Sequence, residues 1–354
     1  MKDKIITYIF VGYILIFSIL GIIIPDKEIS INERRKLSIF PQFKISNEYI
    51  TKLDTYLVEH FPLRENYRTI KAFYNYKVLN KLDNNNIYLK DNKIYKSNYP
   101  TNYNSIDYFK EHIYKINSLL NTSNNTYIAI IPDKNYYIKD KNFLQIDYDY
   151  IYNEINNIGL NNIDLRTVLN ENDYYETDTH WKQENLSKIV KVLNENMSFG
   201  YKDTYYKENI YNNFYGVYYG ESAIKRKPEN ITYLTNEMID NVEVKYLENK
   251  NLNKIYNIEN LNSFDPYEVY LDGASSYIEL YNNYSTSDKE LIIFRDSFAS
   301  SITPLLIKYY KKITLIDNRY INSNNFMNLI EFNNQDVLFL YSTLIVNNSL
   351  SLKN

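Results

Sequence analysis

The chain has 354 residues, 44% of them hydrophobic, and a formal net charge of -3. That length is enough to bury a proper core in one large or two modest domains. The charge gives no electrostatic reason to expect a nucleic-acid partner. The absence of cysteine excludes disulfides, thiolate catalysis and thiolate-bound zinc. Forty tyrosines beside only seven glycines read as the codon bias of an AT-rich genome rather than as a set of sugar-stacking rings. Only three histidines occur, His60, His112 and His180, in no metal-binding spacing, so no metal site is expected. No glycine-rich phosphate-cradling motif is present, and no cofactor is expected.

Residues 5–24 form an uncharged, largely apolar run. As a helix it would measure roughly 30 Å, the thickness of a bilayer's hydrocarbon layer. A cleaved signal has a shorter apolar region, about 7–15 residues, followed by small residues. Here Ile22-Ile23-Ile24-Pro25-Asp26 follows, so residues 1–25 read as an uncleaved membrane anchor. Lys2 and Lys4 precede the run, while Lys27, Arg34, Arg35 and Lys36 follow it, and charge counting alone favours the reverse orientation. Long domains cross membranes largely regardless of charge. The bulk of the chain is therefore expected on the extracytoplasmic side of a bacterial cell membrane.

Residues 26–84 read as a helical juxtamembrane segment. Ser46 is placed to cap a helix from Asn47 to about Glu59, with Ile50, Leu53 and Leu57 on one face. Pro62 biases Phe61 away from helix, and a second amphipathic helix follows to about Leu82. His60 at this junction reads as a structural histidine.

Residues 85–354 read as an α/β domain with an inserted, partly β segment at about 200–265. Ile87-Tyr-Leu89 and Lys93-Ile-Tyr95 flank a turn and predict a hairpin. A helix is expected over 107–120, with His112 on its solvated face. Thr126-Tyr-Ile-Ala-Ile-Ile-Pro132 has the length and composition of a buried parallel strand. Short strands are expected at 162–165, 290–294, 313–316 and 336–341, and helices at 184–196 and 299–310. Strands alternating with helices imply a parallel sheet covered on both faces, with a site beyond the carboxyl ends of its strands.

Two stretches carry candidate chemistry. Asp178-Thr-His180-Trp181 sets an acid two residues before an imidazole. Arg295-Asp296-Ser297-Phe298 places a serine where a strand gives way to a helix. A serine hydroxyl needs a base within reach, and an acid fixes that base's tautomer. The same residues also fit a loop hydrogen bond and a helix-capping serine. Trp181 reads as support beneath the His180 loop or as a sugar-stacking ring, and Arg295 as a charge at a strand end or a ligand for an anionic substrate group.

Asp178-Thr-His180-Trp181 resembles the signature of the DHHW family and of the related alginate O-acetyltransferase family, which are SGNH-hydrolase-like. Further blocks are similar in the same order. They are Glu33-Arg34-Arg35-Lys36-Leu37 with Phe40-Pro41, His60 to Arg64, Ile131 to Lys134, Phe214 to Gly216 with Lys227-Pro228, Arg295 to Phe298, and Ile316 to Tyr320. Thr179 stands where the family name has a histidine, as the alginate type tolerates. Near Leu271-Asp-Gly273-Ala274 the asparagine of an expected Gly-Asn pair is absent.

The resemblance implies an SGNH-like parallel sheet flanked by helices and a triad of Ser297, His180 and Asp178. It also implies O-acetyl transfer to a cell-surface polysaccharide, with a multi-pass membrane acyltransferase supplying the acetyl group. The alternatives are an esterase or deacetylase with the same triad, and a non-catalytic tethered scaffold for envelope assembly.

Overall fold

The computed structural model describes all residues except Met1, Thr122, Lys141, Asn249, Asn251 and Asn354. The chain separates into two compact units, residues 1–85 with 219–226, and residues 86–218 with 227–354.

In the larger unit, seven strands form one sheet: β1 (Asn125–Ile131), β2 (Asn161–Asn162), β3 (Glu243–Tyr246), β4 (Tyr277–Tyr281), β5 (Glu290–Arg295), β6 (Lys312–Ile316) and β7 (Asp336–Ser342). Their spatial order is β3-β4-β6-β5-β7-β1-β2. The pairs β6-β5, β5-β7, β7-β1 and β1-β2 are parallel, while β3-β4 and β4-β6 are antiparallel. The sheet is thus mostly parallel, as the alternating pattern predicts, with an antiparallel edge that the pattern does not.

The apolar strands are explained by burial on both faces. Successive residues of a strand point to opposite sides. Ala129, Ile131, Leu291, Ile293, Leu338 and Leu340 pack with helices α3 (Ser187–Met197) and α4 (Ala299–Leu306). Their neighbours Ile128, Ile130, Ile292, Phe294, Val337 and Phe339 pack with α1 (Tyr103–Leu119) and α2 (Tyr148–Asn156). Helix α3 shows why the sequence signal was readable: Ile189, Val190, Leu193 and Met197 are its buried stripe.

His112 corrects the expectation of a solvated helix face. It is only 2% exposed, in a row with Phe109, Ile113 and Ile116 on the buried side of α1. Its position follows from helical spacing, which sets residue 112 beside 109 and 116.

In the smaller unit, one helix, Lys4–Ile23, is long and apolar enough to cross a membrane. Ser46 caps the helix Asn47–Glu59 by accepting from the Tyr49 amide, as expected. The helix Arg64–Phe73 continues into a single wider turn, Tyr74–Val78, and ends short of the expected Leu82. His60 Nε2–H donates to Ser38 O at 2.8 Å, and its ring lies against Tyr56, which ties the helix end to the preceding extended segment.

Phe339 is fully buried and stacks on Phe294 of the adjacent strand at 5.0 Å. Phe339→Ala is expected to cost about 3–5 kcal/mol, read as a lowered urea midpoint with a native far-UV spectrum retained below it.

Candidate functional site

At the carboxyl end of β5 the chain turns through Asp296 and Ser297 into α4. Asp296 makes that turn rigid. One carboxylate oxygen accepts from the Phe298 amide at 3.0 Å, and the other accepts from the amide and hydroxyl of Ser342 at 2.8 and 2.6 Å. Ser342 ends β7, so the carboxylate ties two adjacent strand ends together. Ser297 is left partly exposed at the sheet's rim, where open α/β sheets place ligands. Among the described residues, the Ser297 amide donates to no protein acceptor.

The loop bearing Asp178 and His180 reaches the same rim. Asp178 is 1% exposed, and its Oδ1 lies 2.6 Å from His180 Nδ1. His180 Nε2 lies 2.8 Å from Ser297 Oγ. These contacts fix the tautomer by hydrogen-bond logic: Nδ1–H donates to Asp178, leaving Nε2 to accept from the serine hydroxyl. The Val217 amide donates to Asp178 Oδ2 at 2.8 Å, and the His180 amide to Oδ1 at 3.1 Å. The carboxylate is thus dry and aimed, while imidazole and hydroxyl keep access to solvent.

Trp181 is fully buried. Its indole N–H donates to Phe298 O at 3.0 Å and Ser301 Oγ at 2.9 Å. It therefore fastens the His180 loop to the start of α4, and no face is open for stacking on a sugar. Arg295 corrects the reading of a charge exposed at a strand end. It is 1% exposed and donates to Ser300 Oγ at 2.8 Å. The reason is that β5 is covered on both faces, so either side of its last residue is interior, and burial pulls its guanidinium down from the usual range.

Several supporting residues escaped the sequence reading. The ring of Tyr267 lies flat on the His180 imidazole, with centroids 3.7 Å apart and planes at 8°, while its hydroxyl donates to Ser301. Among forty tyrosines nothing in the sequence singles it out. Lys134, only 2% exposed, donates from Nζ to the carbonyls of Tyr175, Glu176 and Asp178 at 3.1, 3.3 and 2.7 Å. Glu229 grips the same loop by accepting from the amides of Glu176 and Thr177 at 2.7 and 2.8 Å. A lysine and a glutamate therefore hold the loop's carbonyls and amides, with Lys134 also over the rings of Tyr95 and Tyr218. Burial pushes the Lys134 ammonium down to about 7, against the pull of Glu229 and Asp178, and pushes Glu229 up. The signal for Lys134 lay in its place after the β1 strand end, but its burial was not readable.

Gly216 is required by a close approach. A Cβ there would meet Thr177 O at 2.3 Å and Asp178 Cβ at 2.4 Å. The Leu271-Asp-Gly273 stretch, where the Gly-Asn pair is missing, holds three successive left-handed residues, with φ of 55°, 54° and 73°. Lys250 holds the carbonyls of Asp272 and Ala274 at 2.6 and 3.0 Å. No cluster of potential metal ligands occurs among the described residues.

No family model matches the chain, and no curated protein matches it. Solved structures do. A DHHW family protein from Eubacterium siraeum aligns with a TM-score of 0.62 at 18% identity, over 77% of this chain and 97% of that one. The chain has the fold of a DHHW family protein. Bacillus cereus PatB1 carrying a sulfonyl adduct aligns at 0.61 and 18% identity, over 76% of this chain and all of that one. The O-acetyltransferase domain of Pseudomonas putida AlgJ aligns more loosely, at 0.44 and 12% identity, over 74% of this chain and 92% of that one. The fold that the resemblance of Asp178-Thr-His180-Trp181 implies is thus the one this chain has.

Lys134→Met should remove three bonds to the loop and leave Glu229 buried without its cation. The expected loss is at least about 3 kcal/mol in chemical denaturation. The far-downfield proton resonance of His180 Nδ1, which reports the Asp178 bond, should weaken with it.

Proposed function

We propose that the chain is a serine-dependent O-acetyltransferase acting on a cell-surface polysaccharide. The observation that carries this reading is the unbroken line of hydrogen bonds from Asp178 through His180 to Ser297, the last two being 117 residues apart.

The proposed reaction is a double displacement. Ser297 Oγ attacks the acetyl carbonyl of the donor as His180 Nε2 takes the hydroxyl proton. The imidazolium that forms faces Asp178 on one nitrogen and the Tyr267 ring on its flat side, both of which favour its positive charge. The Ser297 amide, at the start of α4, is free to stabilise the oxyanion. The proton on Nε2 then passes to the departing group, leaving an acetyl ester on Ser297. In the second half, a sugar hydroxyl gives its proton to Nε2 and attacks the ester carbonyl. The sugar leaves acetylated and Ser297 regains its proton. Asp178 stays ionised throughout and holds the ring in place.

The helix Lys4–Ile23 is read as the anchor that keeps the α/β unit, residues 86–218 with 227–354, at the outer face of a bacterial membrane. A multi-pass membrane acyltransferase is the proposed source of the acetyl group. Water in place of the sugar would make the same relay an esterase. The solvent access of Ser297 and His180 is the observation on that side.

A chromogenic acetyl ester supplied with oligosaccharide fragments of bacterial envelope glycans tests the proposal. Acetylated sugar should form, with an acetyl group trapped on Ser297 in rapid-quench peptide maps. Ser297→Ala should abolish both while leaving the thermal midpoint near that of the parent. Full turnover by Ser297→Ala sinks the assignment, and acetate release with no acetylated sugar supports the hydrolase reading.

A further inference from the structure

The smaller unit carries an amphipathic helix turned inside out. From the N-cap Leu63 through Arg64–Val78, the residues Leu63, Tyr67, Ile70, Tyr74 and Val78 recur at three- and four-residue steps, which makes one stripe. That stripe lies outward: Ile70 is 62% exposed, Tyr74 50% and Val78 53%. The opposite face, with Arg68, Ala72 and Asn75, is the covered one. Ionic partners sit on that inner side, where Arg64 and Arg68 pair with Glu33 and Glu65. The helix Asn47–Glu59 buries none of its residues. More exposed large apolar side chains fall between residues 26 and 85 than in all of residues 86–354. Soluble surfaces rarely leave so much apolar area contiguous.

The apolar helix Lys4–Ile23 meets the start of this face. Its Phe17 stacks on Phe61 at 5.4 Å, and its Tyr13 hydroxyl lies 3.4 Å from that of Tyr67, the second residue of the stripe. The stripe therefore starts against the apolar helix. It continues along a groove of about 810 Å³ whose apolar lining, Leu57, Val58, Phe61, Ile70 and Tyr74, is flanked by Glu33, Arg64, Arg68 and Lys71. Although the whole chain is net negative, lysine and arginine outnumber acids over residues 26–85, which suits an anionic leaflet.

We propose that residues 57–78 are a membrane-embedded platform, with the Leu63–Val78 stripe lying in the outer leaflet of an anionic phospholipid bilayer. This rests on the reading of Lys4–Ile23 as an anchor. It makes the attachment two-point, through a spanning helix and an in-plane one, and holds the smaller unit at the bilayer surface.

The absence of cysteine allows a direct test with the full chain. Single nitroxide labels are placed by Ile70→Cys, Tyr74→Cys and Val78→Cys, with Ile16→Cys as the lipid reference and Tyr205→Cys and Tyr284→Cys as aqueous references. The protein is reconstituted in nanodiscs of phosphatidylethanolamine and phosphatidylglycerol. Collision with oxygen is compared with collision with a water-soluble nickel chelate. The three stripe positions should favour oxygen several-fold over the aqueous references and report depths of about 5–10 Å below the headgroups. Nickel access at the stripe, with Ile16 in lipid, overturns the platform alone. Nickel access at Ile16 removes the anchor and the platform with it. Protection of the stripe from both reagents overturns the lipid assignment and points to a protein partner or second copy on that face.

Discussion

The site depends on a hydroxyl and an imidazole being held 2.8 Å apart by two segments that share no local sequence. A hydrogen bond of this kind contributes little on its own, about 1 kcal/mol net. Its geometry has to be imposed from outside. On one side, Asp296 bonds β5 to β7 and fixes the turn that presents Ser297. On the other, Lys134 and Glu229 hold the backbone of residues 175–178, and Trp181 fastens that loop to α4. Tyr267 then closes the remaining freedom of the ring by lying flat on it.

This arrangement places charge where the environment makes it costly. Asp178, Lys134, Glu229, Asp296 and Arg295 are all buried or nearly so; the first four are satisfied chiefly by backbone groups and hydroxyls, while Arg295 donates to Ser300 and leaves its Nε without a partner among the described residues. Buried polar groups of this kind specify one geometry only when fully partnered. The consequence for function is pre-organisation. A relay that need not rearrange on binding spends less of the substrate's binding energy on positioning.

Much of the fold was legible because the parallel strands are buried on both faces and read as apolar runs, as at Ile128–Ile131 and Leu291–Phe294. The antiparallel edge was not, because Glu243–Tyr246 alternates charged and apolar residues within a stretch rich in Asn, Tyr and Lys, and Tyr277–Tyr281 carries an acid at its centre. Asp178, His180 and Ser297 were nameable from scarcity and from the order of several short blocks, and the structure brings the three into hydrogen-bond contact. Of the residues that hold them, Trp181 was nameable as loop support, while Lys134, Glu229 and Tyr267 were not. A lysine after a strand, a glutamate in an insertion and one tyrosine among forty have no local pattern, since their roles arise from where the chain returns. Arg295 and His112 were misplaced for the same reason: a charge or an imidazole suggests solvent unless its neighbours in space are known.

The measurement that bears most directly on the account is covalent trapping of the nucleophile by a small sulfonyl fluoride, with the adduct located by peptide mass mapping. The account predicts a single adduct on Ser297, formed at least about 100-fold more slowly in His180→Ala and slowed in Asp178→Asn. An adduct on another hydroxyl, or labelling of Ser297 at an unchanged rate without the imidazole, would contradict it.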